Sequence, residues 1–426
     1  MKQLIKTALL STAIASATSF TSLAQTIVIK TEKTVTNTNL NTIEQSTILV
    51  TDGRITRLST NANYQGDTII EGKDYWATPG IFAAFSNLGL VEVDSERSTN
   101  NKNANGSQST ASIRAVDSFN PKSTSVPISR LGGVTYAAIT SNSSTDIFGG
   151  VGMIASTSGE FGSNIDDAAF VFVAYDGGSD RTGGSKGAAM AYLRASLDDA
   201  LNYSTRFKSP TDGDALRRAD AKALRAVFNG SPLIVGADRA VDMHNIIKLK
   251  KKYPQINLII VGAAEGWMIA DELARADVPV IIDPIENLPY GFDSLGTRAD
   301  NANLLMGAGV KTSFMTRSAT GGGAQNLRLL PQHAGNSVAN GVDWESAFKA
   351  ITLTPATLFG HSELGRIKVG DKANFVIWDG DPLEVTSAPV AVFIDGELQT
   401  LKSRQTLLRD RYNPSIENKP DYGYQP

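Results

Sequence analysis

The chain has 426 residues, 41% of them hydrophobic, enough for a large buried core, and its 40 basic and 43 acidic side chains leave a net charge of −3. That balance excludes the basic surface of a nucleic-acid binder, and zero cysteines exclude disulfides, thiol nucleophiles and thiolate metal sites. Only three histidines, His244, His333 and His361, are available, which strains any mechanism that gathers several imidazoles round one zinc ion.

Residues 1–24 place Lys2 and Lys6 ahead of a modestly apolar run that closes on Ser22-Leu23-Ala24, the small-x-small pattern of a cleavable secretory signal. Ser and Thr dilute this run below the roughly 20 strongly apolar residues of a membrane span. The expected mature protein is periplasmic or secreted, has no membrane anchor and no lipid-modifiable cysteine, and carries a net charge of about −5 once Lys2 and Lys6 are removed.

Residues 25–75 read as short strands, with "STILVTDGRITRLS" alternating around the hairpin pair Asp52-Gly53. A second strand-rich stretch covers residues 365–405 and carries Asp395-Gly396 as another such turn. Similar texture at opposite ends predicts one small composite β-sandwich domain built from N- and C-terminal segments. Residues 406–426, with Tyr412, Tyr422 and Tyr424 among Pro and Asn, read as an extended tail.

Between them, over residues 76–364, apolar runs alternate with helical patterns. Most of the runs at 133–139, 169–176, 232–238, 257–262, 279–283 and 310–316 are continuously apolar, as strands covered on both faces are. Segments such as "VDMHNIIKLKKKY" and "WMIADELARA" space apolar residues by three and four. This order predicts an α/β protein whose main body is a TIM-like (βα)8 barrel, with chemistry at the C-terminal strand ends. The polar run at 98–112 reads as a long loop above that face, and "DIFGGVGMI" at 146–154 as a further loop.

Four blocks carry a family resemblance: "ILVTDGRITRL", "TPGIFAAF", "ITLTPATLFGHSELGRIKVGDKANFVIWDGDP" and "VFIDGEL". Their order and spacing resemble the amidohydrolase superfamily, in particular its imidazolonepropionase-like secreted members, from about Thr26 to Leu407. The resemblance implies hydrolysis of carbon–nitrogen bonds other than peptide bonds, with zinc or another divalent metal held by a His-x-His pair on the first barrel strand, one histidine on each of two later strands, and an aspartate on the last. In this chain the matching positions are Phe85, Asn87, Gly236, Gly262 and Arg317. The expected ligand set is therefore missing, and neither a metal nor another cofactor is expected. Arg317 is expected to put a positive charge near strand-end acids such as Asp238 or Asp283.

Other chemistry is weaker. The G-x-S-x-G at 183–187 lies well beyond its strand, so Ser185 lacks the strained turn that makes such a serine a nucleophile. Asp176, Asp238, Asp283 and Glu265 could line a polar pocket, coordinate a hard cation, or simply cap helices. The glycines at 320–326 lack a well-spaced lysine for phosphate.

The expected binding residues at the barrel mouth are thus Phe85, Asn87, Gly236, Asp238, Gly262, Asp283 and Arg317, and no catalytic residue is assigned. Three functions are weighed: an amidohydrolase-like protein that has lost metal-dependent catalysis and acts as a non-catalytic subunit or small-molecule binder, an active hydrolase with a rearranged metal-free site, and a structural or interaction protein. The expected partners are a small molecule and further chains, as a homo-oligomer or beside an active amidohydrolase paralogue.

Overall fold

The two Asp-Gly pairs close hairpins from opposite ends of the chain, and the hairpins meet. Asp52 and Gly53 have φ of 50° and 73°, and Asp395 and Gly396 have 52° and 92°, the positive values that a two-residue turn demands at both positions. A Cβ on Gly53 would lie 3.0 Å from Gly396 Cα, so neither turn has room for a side chain at its second residue.

The computed structural model describes residues 25–175, 179–209, 212–320 and 323–413. The expected signal segment, Asp176, part of the 320–326 glycine run, and Tyr422 and Tyr424 lie outside the described residues.

In chain order the strands are β1 (Thr26–Val35), β2 (Thr42–Thr51), β3 (Arg54–Thr60), β4 (Thr68–Glu71), β5 (Trp76–Pro79), β6 (Ile81–Ser86), β7 (Val134–Ile139), β8 (Phe148–Ser156), β9 (Asn164–Ala174), β10 (Leu233–Ala237), β11 (Leu258–Gly262), β12 (Val280–Ile282), β13 (Thr312–Phe314), β14 (Phe375–Trp378), β15 (Pro389–Ile394) and β16 (Glu397–Leu398). They form two sheets of eight strands. The first runs β16-β15-β14-β5-β1-β2-β3, with β4 beside β1, so strands from both chain ends share one hydrogen-bonded sheet. Ile27, Ile29, Ile48, Val50, Phe375, Ile377 and Phe393 form its separate core.

The second sheet runs from β6 through β13 in sequence order and is barrel-like. Its edges, β13 and β6, are joined through an intervening segment: Phe314 N–H donates to Ala350 O at 2.9 Å, and Phe82 N–H to Ile351 O at 2.8 Å. Strands β6, β7, β10, β11, β12 and β13 are buried along nearly their whole length, which is why most of them read as apolar runs. Helices Lys186–Leu201, Ala240–Lys252 and Ala270–Arg275 alternate with the later strands and lay Leu193, Leu197, Met243, Ile246, Ile247 and Leu273 into the main core.

One departure from a strict βα repeat is β8, which pairs antiparallel with both β7 and β9. The run 146–154, expected as a loop, supplies this strand. Its three glycines hid it, and packing explains them: a Cβ on Gly149 would sit 2.4 Å from the Phe172 ring and one on Gly152 2.2 Å from the Phe170 ring. The aromatic side chains of β9 fill the space that side chains on β8 would need. The overall class is a mixed α/β fold with a barrel-like sheet.

The 98–112 loop is tied down near the strand ends. Ala104 N–H donates to Asn142 O and Asn142 N–H to Lys102 O, while Ser112 donates twice to Asp220 Oδ1.

Candidate functional site

A cavity of about 650 Å³ opens at the C-terminal ends of the barrel strands, where Phe85, Gly236, Asp238, Gly262 and Arg317 contribute to its lining. Strand geometry sets these positions. Phe85 is the penultimate residue of β6, and its ring meets Phe172 of β9 edge-on with centroids 4.9 Å apart. Gly236 and Gly262 sit at the ends of β10 and β11. At Gly262, φ is +105° and a Cβ would come within 2.6 Å of Asp238 Oδ1, whereas a Cβ at Gly236 would meet nothing closer than 3.7 Å.

The other two sequence-selected residues lie behind the cavity wall. Asn87 is fully buried, with Nδ2 donating to Thr140 O at 2.6 Å, and its Oδ1 is buried without a hydrogen-bond partner. Residues two apart face the same way only on a regular strand; β6 ends at Ser86 after a register shift, so Asn87 turns away from Phe85's cavity. Asp283, directly after β12, is also buried. It accepts from Arg317 N–H at 2.8 Å, and His333 Nδ1 lies 2.9 Å away.

Arg317 is the electrostatic centre. Its Nη2 lies 3.1 Å from Asp238 Oδ1 and 3.2 Å from Glu286 Oε2, and its Nε donates to Glu286 Oε1. The guanidinium stacks over Tyr290 at 4.3 Å, and the Tyr290 hydroxyl donates to the second oxygen of Asp238. Burial works against the charge on Arg317, but Asp238 and Glu286 outweigh it and push its pKa further up. Glu286 is raised, because burial outweighs the opposing pull of Arg317. Burial likewise raises Tyr290, reinforced by Asp238.

A second ion-pair group stands across the rim. Lys186 Nζ bridges Asp242 and Asp293, at 2.5 and 2.9 Å, and Arg239 approaches Asp293 at 3.7 Å. Burial would lower the Lys186 pKa, but the two carboxylates override it and raise it, so Lys186 is held as a cation and not as a base. Ser185 caps its helix by accepting from Ala188 N–H. Ser185 and Lys186 therefore form no nucleophile and base pair.

Glu265, His244 and His361 are engaged away from the cavity. Glu265 accepts from Ala240 N–H and from Gly296 N–H, bracing a helix start and a loop. His244 pairs with Glu272, at 2.8 Å from its Nδ1, and His361 lies between Asp166 and Glu363. Among the described residues, no group of three or more His, Cys, Asp or Glu side chains is placed to hold a metal ion. The five positions aligned with a ligand set offer a phenyl ring, a side-chain amide, two bare backbones and a guanidinium. Only Asn87 Oδ1 among them brings a free lone pair, and one oxygen does not hold a divalent ion; the donor set does not fit the metal that the resemblance implies.

Sequence reasoning missed Glu286, Tyr290, Phe292 and Asp293. All belong to the segment after β12, and their signal was available: acids and aromatics directly beyond a barrel strand end, where such folds keep their sites.

Residues 237–403 match the sequence profile of the amidohydrolase family. A stretch of 75 residues is 39% identical to the amidohydrolase tasK of Hapsidospora irregularis; it spans 17% of this chain and 8% of that much longer protein. The fold is similar to the crystal structure of an amidohydrolase from Thermotoga maritima, with a TM-score of 0.77 and 21% identity over 87% of this chain and 99% of that one. It is also similar to a prolidase crystallised with a methylphosphonate-proline ligand, at TM-score 0.55 and 12% identity over 88% and 99% of the two chains. The zinc-complexed atrazine chlorohydrolase of Arthrobacter aurescens is more distant, at TM-score 0.50 and 13% identity over 89% and 96%. These likenesses establish the shared architecture.

Proposed function

We propose that this is an amidohydrolase-superfamily protein whose barrel mouth binds a small molecule and has given up metal-dependent hydrolysis. The observation that carries the reading is the guanidinium of Arg317, held between Asp238 and Glu286 at the strand ends. A fixed cation there opposes a divalent ion by direct repulsion, and it engages the nearest carboxylates that could have served as ligands. Family hydrolysis draws its activated water from the metal; among the described residues the mouth supplies no substitute, because Lys186 is a paired cation and His333 is buried off the cavity lining, against Asp283. The test is the metal content of the purified protein, before and after incubation with zinc, together with hydrolysis of amide and cyclic amide substrates. Substoichiometric metal and no hydrolysis are expected. A tightly held stoichiometric ion with zinc-dependent turnover would overturn the reading.

A second reading, a non-catalytic subunit beside another chain, draws on the segment after β12, where Leu288 and Leu295 are 80% and 62% exposed. Single exposed apolar residues are ordinary, but neighbours in one loop suit a contact surface. Light scattering and co-purification from the native cells separate a lone binder from a subunit. Residues 1–24 support export, so the mature chain is proposed to be periplasmic or secreted, beginning at Gln25; intact mass of the native protein checks this.

A further inference from the structure

The character of the cavity narrows what it can hold. We infer that the mouth takes an organic cation with an aryl or similarly apolar body and rejects carboxylates. The inference rests on the proposed role of the mouth as a binding site.

The walls come first. Phe85, Phe172, Tyr175, Tyr290 and Phe292 all line the same space of about 650 Å³, a volume suited to a small organic ligand largely removed from water. Phe292 is 91% exposed although it lines the cavity, so its ring face is unpacked and available. Charge comes second. Four carboxylates, Asp238, Glu286, Asp242 and Asp293, stand in the two ion-pair groups at the rim against three cations, Arg317, Lys186 and Arg239. Arg317 and Lys186 are each already divided between two carboxylates, and an incoming anion would have to compete for them inside a negative field.

The protein supplies its own precedent for the recognition. The Arg317 guanidinium lies over the Tyr290 ring at 4.3 Å with an acid on its flank. That is the arrangement in which aromatic faces and carboxylates together hold an organic cation. Phe292 stands directly before the half-exposed Asp293, itself paired with Lys186 and Arg239, and sets a second aromatic face beside an acid at the rim, with no cation stacked on the ring among the described residues.

Three probes with one ring and three charges test this by calorimetry on the mature full chain: benzyltrimethylammonium, benzyl alcohol and benzoate. The cation is expected to bind about tenfold more tightly than the alcohol, with benzoate weakest, and raised salt should weaken only the cation. Phe292→Ala should weaken the cation about tenfold while leaving thermal stability unchanged, since the ring is exposed. Benzoate binding as tightly as the cation, equal affinity for cation and alcohol, indifference to Phe292→Ala, or no binding of any probe overturns the inference. None of these outcomes depends on metal content or hydrolysis, so the proposed loss of metal chemistry stands or falls separately.

Discussion

Arg317 and Asp238 lie 79 residues apart in sequence and 3.1 Å apart in space, at the ends of β13 and β10. Their side chains are 29% and 14% exposed, so the pair is shielded from water enough for its charges to matter. Two oxygens of Glu286 on the same guanidinium make Arg317 a bridge between two elements of the barrel rim.

Removing that bridge leaves Asp238 and Glu286 facing one another without a counter-charge. Arg317→Met is expected to lower unfolding free energy by about 2–4 kcal/mol, somewhat below the roughly 3–5 kcal/mol of a fully buried pair that loses one partner, because these side chains keep some exposure. Adding Asp238→Asn and Glu286→Gln should recover most of the loss, because neutral amides carry no comparable desolvation cost. Urea unfolding of the single and triple variants measures both; a single variant as stable as the wild type would show that the bridge carries no stability.

Much of this frame was legible in the sequence. Continuous apolar runs gave away β7 and β9 to β13, and two Asp-Gly pairs marked the hairpins. The strand β8 was hidden because its glycines answer to Phe170 and Phe172, residues on another strand whose packing no local pattern reveals. At the site, simple charge reasoning paired Arg317 with strand-end acids, and its side chain does reach Asp238; Asp283 meets only its backbone N–H. The acids and aromatics beyond β12 stood in plain view, but the contacts of Glu286 with Arg317, Tyr290 with Asp238 and His333 with Asp283 were not legible, since they depend on how loops fold back over 31, 52 and 50 residues of chain.

Glu286 makes stability pH-dependent in a definite direction. Its folded-state pKa is raised above the ordinary 4.5 by burial, against the pull of Arg317. A carboxyl raised on folding favours the folded state fully below its unfolded pKa, and that contribution is lost as pH rises through the folded value. Relative to Glu286→Gln, the wild type should therefore lose stability as pH climbs from about 4 into the window above 4.5. Denaturant midpoints for both proteins from pH 4 to 8 check it: curves that stay parallel throughout would mean the group titrates alike in folded and unfolded chains.

The two glycines at neighbouring strand ends should respond oppositely to a methyl group. At Gly236 a Cβ has only ordinary contacts, whereas at Gly262 it meets Asp238 Oδ1 at 2.6 Å with φ at +105°. Gly236→Ala is expected to be neutral or to stabilise by up to about 1 kcal/mol through the unfolded chain. Gly262→Ala should cost about 1–3 kcal/mol in backbone strain and collision. Thermal denaturation ranks them, and equal effects at both sites would contradict the geometry.

The segment after β12 is fastened to the barrel by Asp293 on Lys186 and by Tyr290 on Asp238. The two ends of the first fastening differ in burial: the Asp293 side chain is 39% exposed, whereas Asp242, on the other side of Lys186, is 7% exposed. Asp293→Asn should therefore change global stability by less than about 1 kcal/mol, as for other exposed pairs. It should still loosen the segment, raising hydrogen exchange and proteolytic cutting across residues 285–295, because local opening needs only the local contacts. Lys186→Met should do both, since it also strands the buried Asp242 carboxylate, at a cost of about 2–3 kcal/mol. If Asp293→Asn left exchange across 285–295 unchanged, the segment would be held by its packing and by the contacts of Tyr290 with Asp238 and of Glu286 with Arg317. Lys186 would then serve only to neutralise Asp242.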